Sequence, residues 1–574
     1  MRECWIEEMK TKRKHQSRDW LSVSSMLLWL MIVPAALRAE LPTFTLTDVT
    51  AASGINFVHS TGGSGEGYIV EGMSAGLATL DYNGDGWMDI YFLNGAALKG
   101  TKLDAPLRNA LYRNNGDWTF TDVTDLAGVG DQGYGLGVGV ADYDGDGDAD
   151  IYINNFGPNL LYRNEGNGTF TNVTAAAGVE NGDKVGAGVG FLDIEGDGDL
   201  DLYVANYVDF TYDNYVPIII KGRKFQAGPQ YYQPVSDSLY RNNGDGTFTD
   251  ISVESGIAAV AGPGMGIVCA DLDLDNDVDI YVCNDGKPNF FFQNNGTGVF
   301  EEVGLLYGLA CDYSGKANAS MGVDCGDYDQ DGLLDLFVTN YQAEMPVLYH
   351  NLGQGLFEDA SSKAKIPRGL FPHVNWGTAF VDLDNDADQD LYLVCGHFDR
   401  IEAIDDRTTM KVRNFVLLND QGYFSDATQQ SDASAENPES SRGLAVEDFD
   451  NDGDIDVLVG NSNAGPTLLR NDSPAEHHWI KLKLSQPGMN RDAIGARVRV
   501  TAGGMTQVQH TLSGRGYQSH FGTLLHFGVG SHDTEANVTI EWPDDNAEGF
   551  VESQEMLVPV DALTEISRNP IVAP

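Results

Sequence analysis

Residues 142–150 read DYDGDGDAD, and this stretch decides the fold. Asp142, Asp144 and Asp146 alternate with residues that let the chain curl around a centre. Gly147 supplies the positive φ of a sharp turn, and Asp150 closes the set. The β-type run IYI follows at once, and the short apolar stretch GVGVA (137–141) precedes it. The pattern D-x-[DNE]-x-D-[GNA]-x-x-D occurs seven times, starting at Asp81, Asp142, Asp193, Asp271, Asp327, Asp382 and Asp448. Each copy has an apolar, Gly-bearing stretch upstream and a β-run downstream, so each predicts a strand–loop–strand unit.

Two further elements recur with the loop. One is an N-x-L-Y-R-N-type strand, as in LYRNNGD (111–117), LYRNEGN (161–167), LYRNNGD (239–245) and LLRND (468–472). The other is an F-T-D-V-T-type strand, at 120–124, 170–174 and 248–251, with divergent forms at 300–303, 357–360 and 424–428. Residues 44–471 thus divide into seven units of about 61 residues, the size of a four-stranded propeller blade. The opening copy, FTLTDVT (44–50), is placed to complete the last blade and close the ring, leaving no exposed edge. The fold class expected is all-β: a seven-bladed β-propeller with an acidic loop in each blade, followed by a small all-β domain.

The acidic loops carry the chemistry. Ca²⁺ takes 6–8 oxygens at about 2.3–2.6 Å, whereas Mg²⁺ demands a tighter octahedron and keeps its waters. Carboxylates about 4 Å apart repel by roughly 1–4 kcal/mol per pair unless a cation offsets them. The candidate ligands are Asp81, Asn83, Asp85 and Asp89 in loop one and Asp142, Asp144, Asp146 and Asp150 in loop two. Loop three offers Asp193, Glu195, Asp197 and Asp201, and loop four Asp271, Asp273, Asp275 and Asp279. Loops five to seven offer Asp327, Asp329, Asp331 and Asp335; Asp382, Asp384, Asp386 and Asp390; and Asp448, Asp450, Asp452 and Asp456. Loop six is the poorest match, because Ala387 stands at the turn where positive φ is needed. Up to seven Ca²⁺ sites are expected. With a Kd of about 10⁻⁴–10⁻³ M and roughly 1 mM free ion, each adds about 0.4–1.4 kcal/mol, or about 3–10 over the set. Such ions are mainly structural.

The 35 Lys+Arg against 85 Asp+Glu give a net charge of −50, which repels phosphate backbones and argues against a nucleic-acid partner. Residues 1–39 read as an export signal: Lys10 to Lys14 and Arg18, then LSVSSMLLWLMIVPAAL (21–37), then a small-residue exit at Ala39. A cleaved signal is favoured over an uncleaved anchor, since Pro34 and serines interrupt a run shorter than roughly 20 residues. No other segment is long and apolar enough to span a bilayer. Cys269, Cys283, Cys311, Cys325 and Cys395 form no C-x-x-C pair, and buried thiols and disulfides both remain open.

Residues 475–574 read as a second β domain, with WIKLKL, ARVRV, VQHTL, LLHFGV and VTIEW split by Gly-rich turns. Its histidines show no metal-ligand spacing. The long interruption from Asn206 to Asp237 gathers Tyr207, Phe210, Tyr212, Tyr215, Phe225, Tyr231 and Tyr232 beside Lys221, Arg223 and Lys224. It reads either as a ligand-binding loop or as a lid packed over the ring, on which the second domain could dock. No nucleophile–base constellation is legible, and His59, His373 and His397 are isolated, so an enzyme is not expected.

The repeat resembles the FG-GAP/VCBS family, whose calcium loops occur in integrin α-chain propellers. DAIGARVRV (492–500), Gly503-Gly504, SGRGYQSH (513–520), LHFGVG (525–530) and VTIEWPD (538–544) resemble the ASPIC/UnbV domain. That resemblance implies a secreted or surface calcium-binding protein, and class and location better than any ligand; the function expected is a binding or adhesion module for a glycan or extracellular protein. An exported carbohydrate-active enzyme using the propeller face is the alternative.

Overall fold

The glycine-bearing stretch upstream of each acidic loop forms the innermost strand of a sheet in the computed structural model. The structure describes residues 44–473, 477–522, 524–532, 534–543 and 553–568; the expected export signal lies outside them. In the repeat region seven four-stranded antiparallel sheets follow one another. Their innermost strands are Leu77–Leu80, Tyr134–Ala141, Gly186–Leu192, Gly264–Ala270, Ser320–Gly326, Asn375–Val381 and Ser441–Glu447. Each acidic loop joins an innermost strand to the next strand outward. Neighbouring innermost strands touch in chain order, and the last returns to the first. The ring is closed, as a β-propeller requires.

Closure explains the glycines. One glycine in or just before each innermost strand faces a backbone carbonyl in or just before the innermost strand of the next sheet. A Cβ on Gly137 would fall 1.9 Å from the Ala187 carbonyl oxygen, and one on Gly322 2.4 Å from that of Trp376. A Cβ on Gly443 would fall 2.4 Å from the Ala75 oxygen, which completes the circle. Any side chain here would push the sheets away from the axis. The opening segment behaves as expected: Leu46–Asp48 pairs with Thr467–Asn471, Leu46 opposite Asn471.

Residues 478–568 form two further sheets. Leu525–Gly530, His478–Ser485 and Ala562–Ser567 make one; Met505–His510, Arg497–Ala502, Glu535–Glu541 and Ser553–Pro559 make the other. Alternation along Arg497–Ala502 puts Val498, Val500 and Ala502 into a core with Ile480, Phe527 and Trp542.

The connection between these sheets was not foreseen. Residues 513–522, SGRGYQSHFG, enter the axis of the ring and meet all of the innermost strands. Ser513 Oγ donates to the Val140 carbonyl at 2.8 Å, and Gly514 lies against Gly190 and accepts from the Cys269 N–H at 3.1 Å. Arg515 donates two bonds to Asp324, at 2.8 and 2.6 Å. Tyr517 packs edge-on against Trp376, centroids 5.2 Å apart, and its hydroxyl donates to the Met73 carbonyl at 2.9 Å. His520 and Leu77–Thr79 exchange backbone bonds at 3.0 Å, and the Gly522 N–H reaches Glu447 at 2.7 Å. The C-terminal region therefore plugs the propeller.

Cys269, Cys283, Cys325 and Cys395 are buried free thiols and Cys311 is a half-buried one, so the thiol reading holds. Among the described residues no helix is long and apolar enough to cross a membrane.

Candidate metal centres and the open face

All seven acidic loops share one hydrogen-bond scheme. The carboxylate at position 1 accepts the N–H of position 6, from Gly147 to Asp142 at 2.8 Å and from Gly453 to Asp448 at 2.9 Å. Position 5 accepts the N–H of position 7, as Asp146 does from Asp148 at 3.0 Å. These bonds curl the loop and turn the remaining oxygens inward.

Position 9 does more than close a shell. Asp150 accepts the N–H of Tyr143 at 3.2 Å on one oxygen and that of Asn164 at 2.7 Å on the other. Asn164 then donates its side-chain amide to the Tyr82 carbonyl of the preceding loop at 2.8 Å. The same asparagine recurs as Asn114, Asn242, Asn294, Asn351, Asn419 and Asn471, each bonding the preceding loop at 2.8–2.9 Å. These asparagines latch loop to loop around the whole ring. The sequence signal for them was present, as the Asn that ends every N-x-L-Y-R-N-type strand.

In at least four loops three carboxylates bring one oxygen each within 4.8 Å of one another: Asp142, Asp144 and Asp146; Asp271, Asp273 and Asp279; Asp327, Asp329 and Asp331; and Asp382, Asp384 and Asp390. Loop one carries Asn83, whose amide donates to Asp85 at 2.9 Å, and loop three Glu195, 3.9 Å from Arg241. In loop five His350 joins the cluster, with Nδ1 3.1 Å from Asp335 and 3.5 Å from Asp329. The Asp335 hydrogen bond raises its pKa. Loop six takes its turn with Ala387 at φ +84°, the strained conformation its sequence implied.

These centres fit a hard cation. Asp144 Oδ1, Asp327 Oδ1, Asp329 Oδ1 and Asp450 Oδ1 are buried with no hydrogen-bond partner, an arrangement that costs energy unless something positive faces them. Burial, with neighbouring carboxylates adding to it, pushes Asp142 and Asp193 up to about 7, Asp89 and Asp327 to about 8 and Asp150 to about 9. A divalent ion held by all-oxygen donors would reverse those shifts.

The C-terminal domain lies across this loop face. Asn490 N–H donates to the Gly198 carbonyl at 2.8 Å, Arg497 to that of Gly332 at 2.9 Å and His526 Nε2 to that of Gly453 at 3.0 Å. All three acceptors are position 6 of a loop, so a curled loop is the docking surface. Lys481, almost fully buried, sets its ammonium 2.8 Å from Asp448. Loop one stays open, with Asn83, Asp85 and Gly86 exposed.

The opposite face stays uncovered by that domain. There the 206–237 interruption forms a hairpin, Ile218–Ile220 with Arg223–Phe225, and lies over the ring as a lid. Its aromatics are mostly spent on packing: Phe210 is buried against Tyr232 and Phe156, and Tyr212 and Tyr215 sit edge-on to Tyr68. Lys224 pairs with Glu66, and Lys221 donates to the Ala403 carbonyl at 2.7 Å. The second domain docks elsewhere. Between lid and ring lies a cavity of about 620 Å³, lined by Tyr207, Tyr232, Tyr341, Trp376 and Asp285 among others. Burial pushes Asp285 up to about 6, and it accepts the Tyr207 hydroxyl at 2.7 Å. His373 and His397 stand apart from this pair, with His397 Nε2 3.2 Å from Gln342 Oε1.

The family model described as an FG-GAP-like repeat matches residues 81–153, 142–204, 231–282, 271–338 and 327–393, and the one described as ASPIC and UnbV matches 486–568. Cartilage acidic protein 1 of Homo sapiens is 25% identical over 366 residues, covering 62% of this chain and 50% of that protein; the Xenopus tropicalis protein is 25% identical over 367, covering 62% and 52%. The chain spans about half the length of these curated relatives. Solved structures resemble it loosely. An Agrocybe aegerita lectin that recognises non-reducing terminal N-acetylglucosamine is 21% identical with a TM-score of 0.36, over 62% of this chain and 82% of its own. A Bacillus licheniformis rhamnogalacturonan lyase is 13% identical with a TM-score of 0.35, over 75% of each.

Proposed function

As the chain belongs to the FG-GAP-like repeat family and ends in an ASPIC and UnbV domain, we propose that it is an exported, calcium-loaded binding module whose open face takes a glycan or extracellular protein. The observation that carries this reading is the asymmetry of the ring. The C-terminal domain and its plug cover the loop face except at loop one, while the other face keeps an aromatic-lined cavity of about 620 Å³. The ions act on the scaffold: they hold the loops in the curl on which the C-terminal domain docks, and they touch no ligand. Secretion, calcium loading and adhesion belong to this proposal together.

The test is saturable binding of the mature protein, in calcium, to a panel of neutral and acidic oligosaccharides and extracellular proteins. Binding without turnover supports the reading. The alternative, an exported carbohydrate-active enzyme, draws on Asp285, a carboxyl poised near neutrality inside the cavity. Turnover of a bound glycan, abolished by Asp285→Asn, would establish that alternative instead.

A further inference from the structure

Beside the large cavity lies a second one of about 360 Å³, which shares Gln226 and Phe398 with it. Arg442 lines this cavity and is only 1% exposed. Two of its three nitrogens are committed: Nε donates to the Gly72 carbonyl at 2.8 Å, and Nη1 to the Ser441 carbonyl at 2.8 Å and Ser440 Oγ at 3.1 Å. Its guanidinium carbon stands 4.2 Å from the Trp376 ring centroid. Among the described residues no carboxylate pairs with it and nothing accepts from Nη2. Arg515 and Lys481 are buried too, but each meets a carboxylate, Asp324 at 2.6 Å and Asp448 at 2.8 Å. Burying a cation without a counter-ion costs several kcal/mol, so Arg442 is unlike its neighbours in lacking one.

The surroundings supply no remedy. Glu71 also lines the cavity; its carboxylate accepts the Tyr68 N–H at 2.9 Å and makes no ion pair with Arg442. Lys224 and Arg400 face the same space and pair with Glu66 and Asp399. His59 accepts the Asn463 N–H on Nδ1 at 3.1 Å, so its neutral ring carries the proton on Nε2, which is buried with no acceptor. Burial and then the Arg442 charge hold both His59 and His397 neutral, down to about 3. Among the described residues Arg442 has no carboxylate at ion-pair distance, although Glu71 and Asp399 line the same cavity.

We propose that this second cavity is a carboxylate subsite, in which Arg442 receives the acid group of a uronic-acid residue whose neighbouring sugar lies on Trp376 and Tyr341 in the larger cavity. The inference rests on the glycan-binding reading above. Arg is suited to this role because its charge does not titrate away near neutral pH and its uncommitted Nη2 can donate to a carboxylate oxygen. Gln226 and Phe398 line both cavities, so the two lie side by side, and Trp376 and Tyr341 line the larger one.

The experiment is calorimetric titration of the calcium-loaded protein with trigalacturonate, with its methyl ester and with neutral maltotriose. Trigalacturonate is expected to bind at least tenfold more tightly than the ester. Arg442→Met is expected to erase that preference and Arg442→Lys to keep part of it. Equal affinity for acid and ester would overturn the inference, and this comparison needs only the wild-type protein. If neutral sugars bind and the acid has no advantage, the glycan reading survives and the carboxylate subsite falls. Binding of acidic peptides with no glycan bound would overturn the uronic-acid subsite and leave a protein ligand as the reading of the open face.

Discussion

The two ends of the propeller axis are built from opposite chemistry. At the loop end, carboxylates crowd in every sheet, and the C-terminal domain docks on the loop carbonyls and sends Ser513–Gly522 down the axis. At the other end the lid leaves two cavities, and among the described residues Arg442 is a buried cation there with no carboxylate partner. The first end is dense and locked by a charge network, so substitutions there should act on stability. The second is open, so substitutions there should act on binding.

On the proposal that the loops hold calcium, its removal should have the largest effect. Chelation is expected to cost about 3–10 kcal/mol across the set, read as a fall in the thermal midpoint that added Ca²⁺ restores. An unchanged midpoint would mean that the loop face is held by hydrogen bonds alone. The stripped protein should also respond to pH in an unusual sense. Asp142 and Asp193 (about 7) and Asp150 (about 9) are raised above the ordinary 3.8, so the folded state holds more protons than the unfolded one. The stability these carboxyls contribute should be full below about pH 4 and be lost as pH rises towards 9, while the buried neutral histidines His59 and His397 oppose it below about pH 6. Urea midpoints across that range, with and without Ca²⁺, test this, because the ion should flatten the slope.

Next in size is the plug. Arg515→Ala leaves Asp324 buried and uncompensated, an expected loss of about 3–5 kcal/mol in denaturant unfolding. A loss below 1 kcal/mol would show that the axial segment is a passive filler. Smaller, and of opposite sign, is Ala387→Gly. Relief of a φ of +84° should stabilise the protein by about 0.5 kcal/mol, with a modest gain in loop-six calcium affinity. Smallest is Lys221→Ala on the lid, where an exposed bond to the Ala403 carbonyl should be worth under about 0.5 kcal/mol. A large loss there would blur the distinction between the two ends.

Much of the loop end was legible because its chemistry is local. Within nine residues the alternation of Asp and Gly encodes both the curl and the donor set, and the Leu46–Asp48 closure follows from counting repeats. The Asn latch was half legible: its motif recurs visibly, but its amide reaches the preceding loop, and no spacing within one unit reveals that. In the 206–237 segment the aromatics were visible as a cluster, yet whether they face a ligand or one another depends on the lid's path across the ring. Phe210 and Tyr215 face other aromatics, while Tyr207 and Tyr232 line the cavity.

Sequence alone determined the sheets, the loops and their order, since hydrophobic alternation and turn chemistry act over a few residues. Only the tertiary structure decided that SGRGYQSHFG fills the axis, that Lys481 meets Asp448, and that Arg442 is buried beside a cavity without a counter-ion. Those outcomes join residues far apart in the chain. Burial, which sets the cost of each charge, is a property of the closed ring and of no single segment within it.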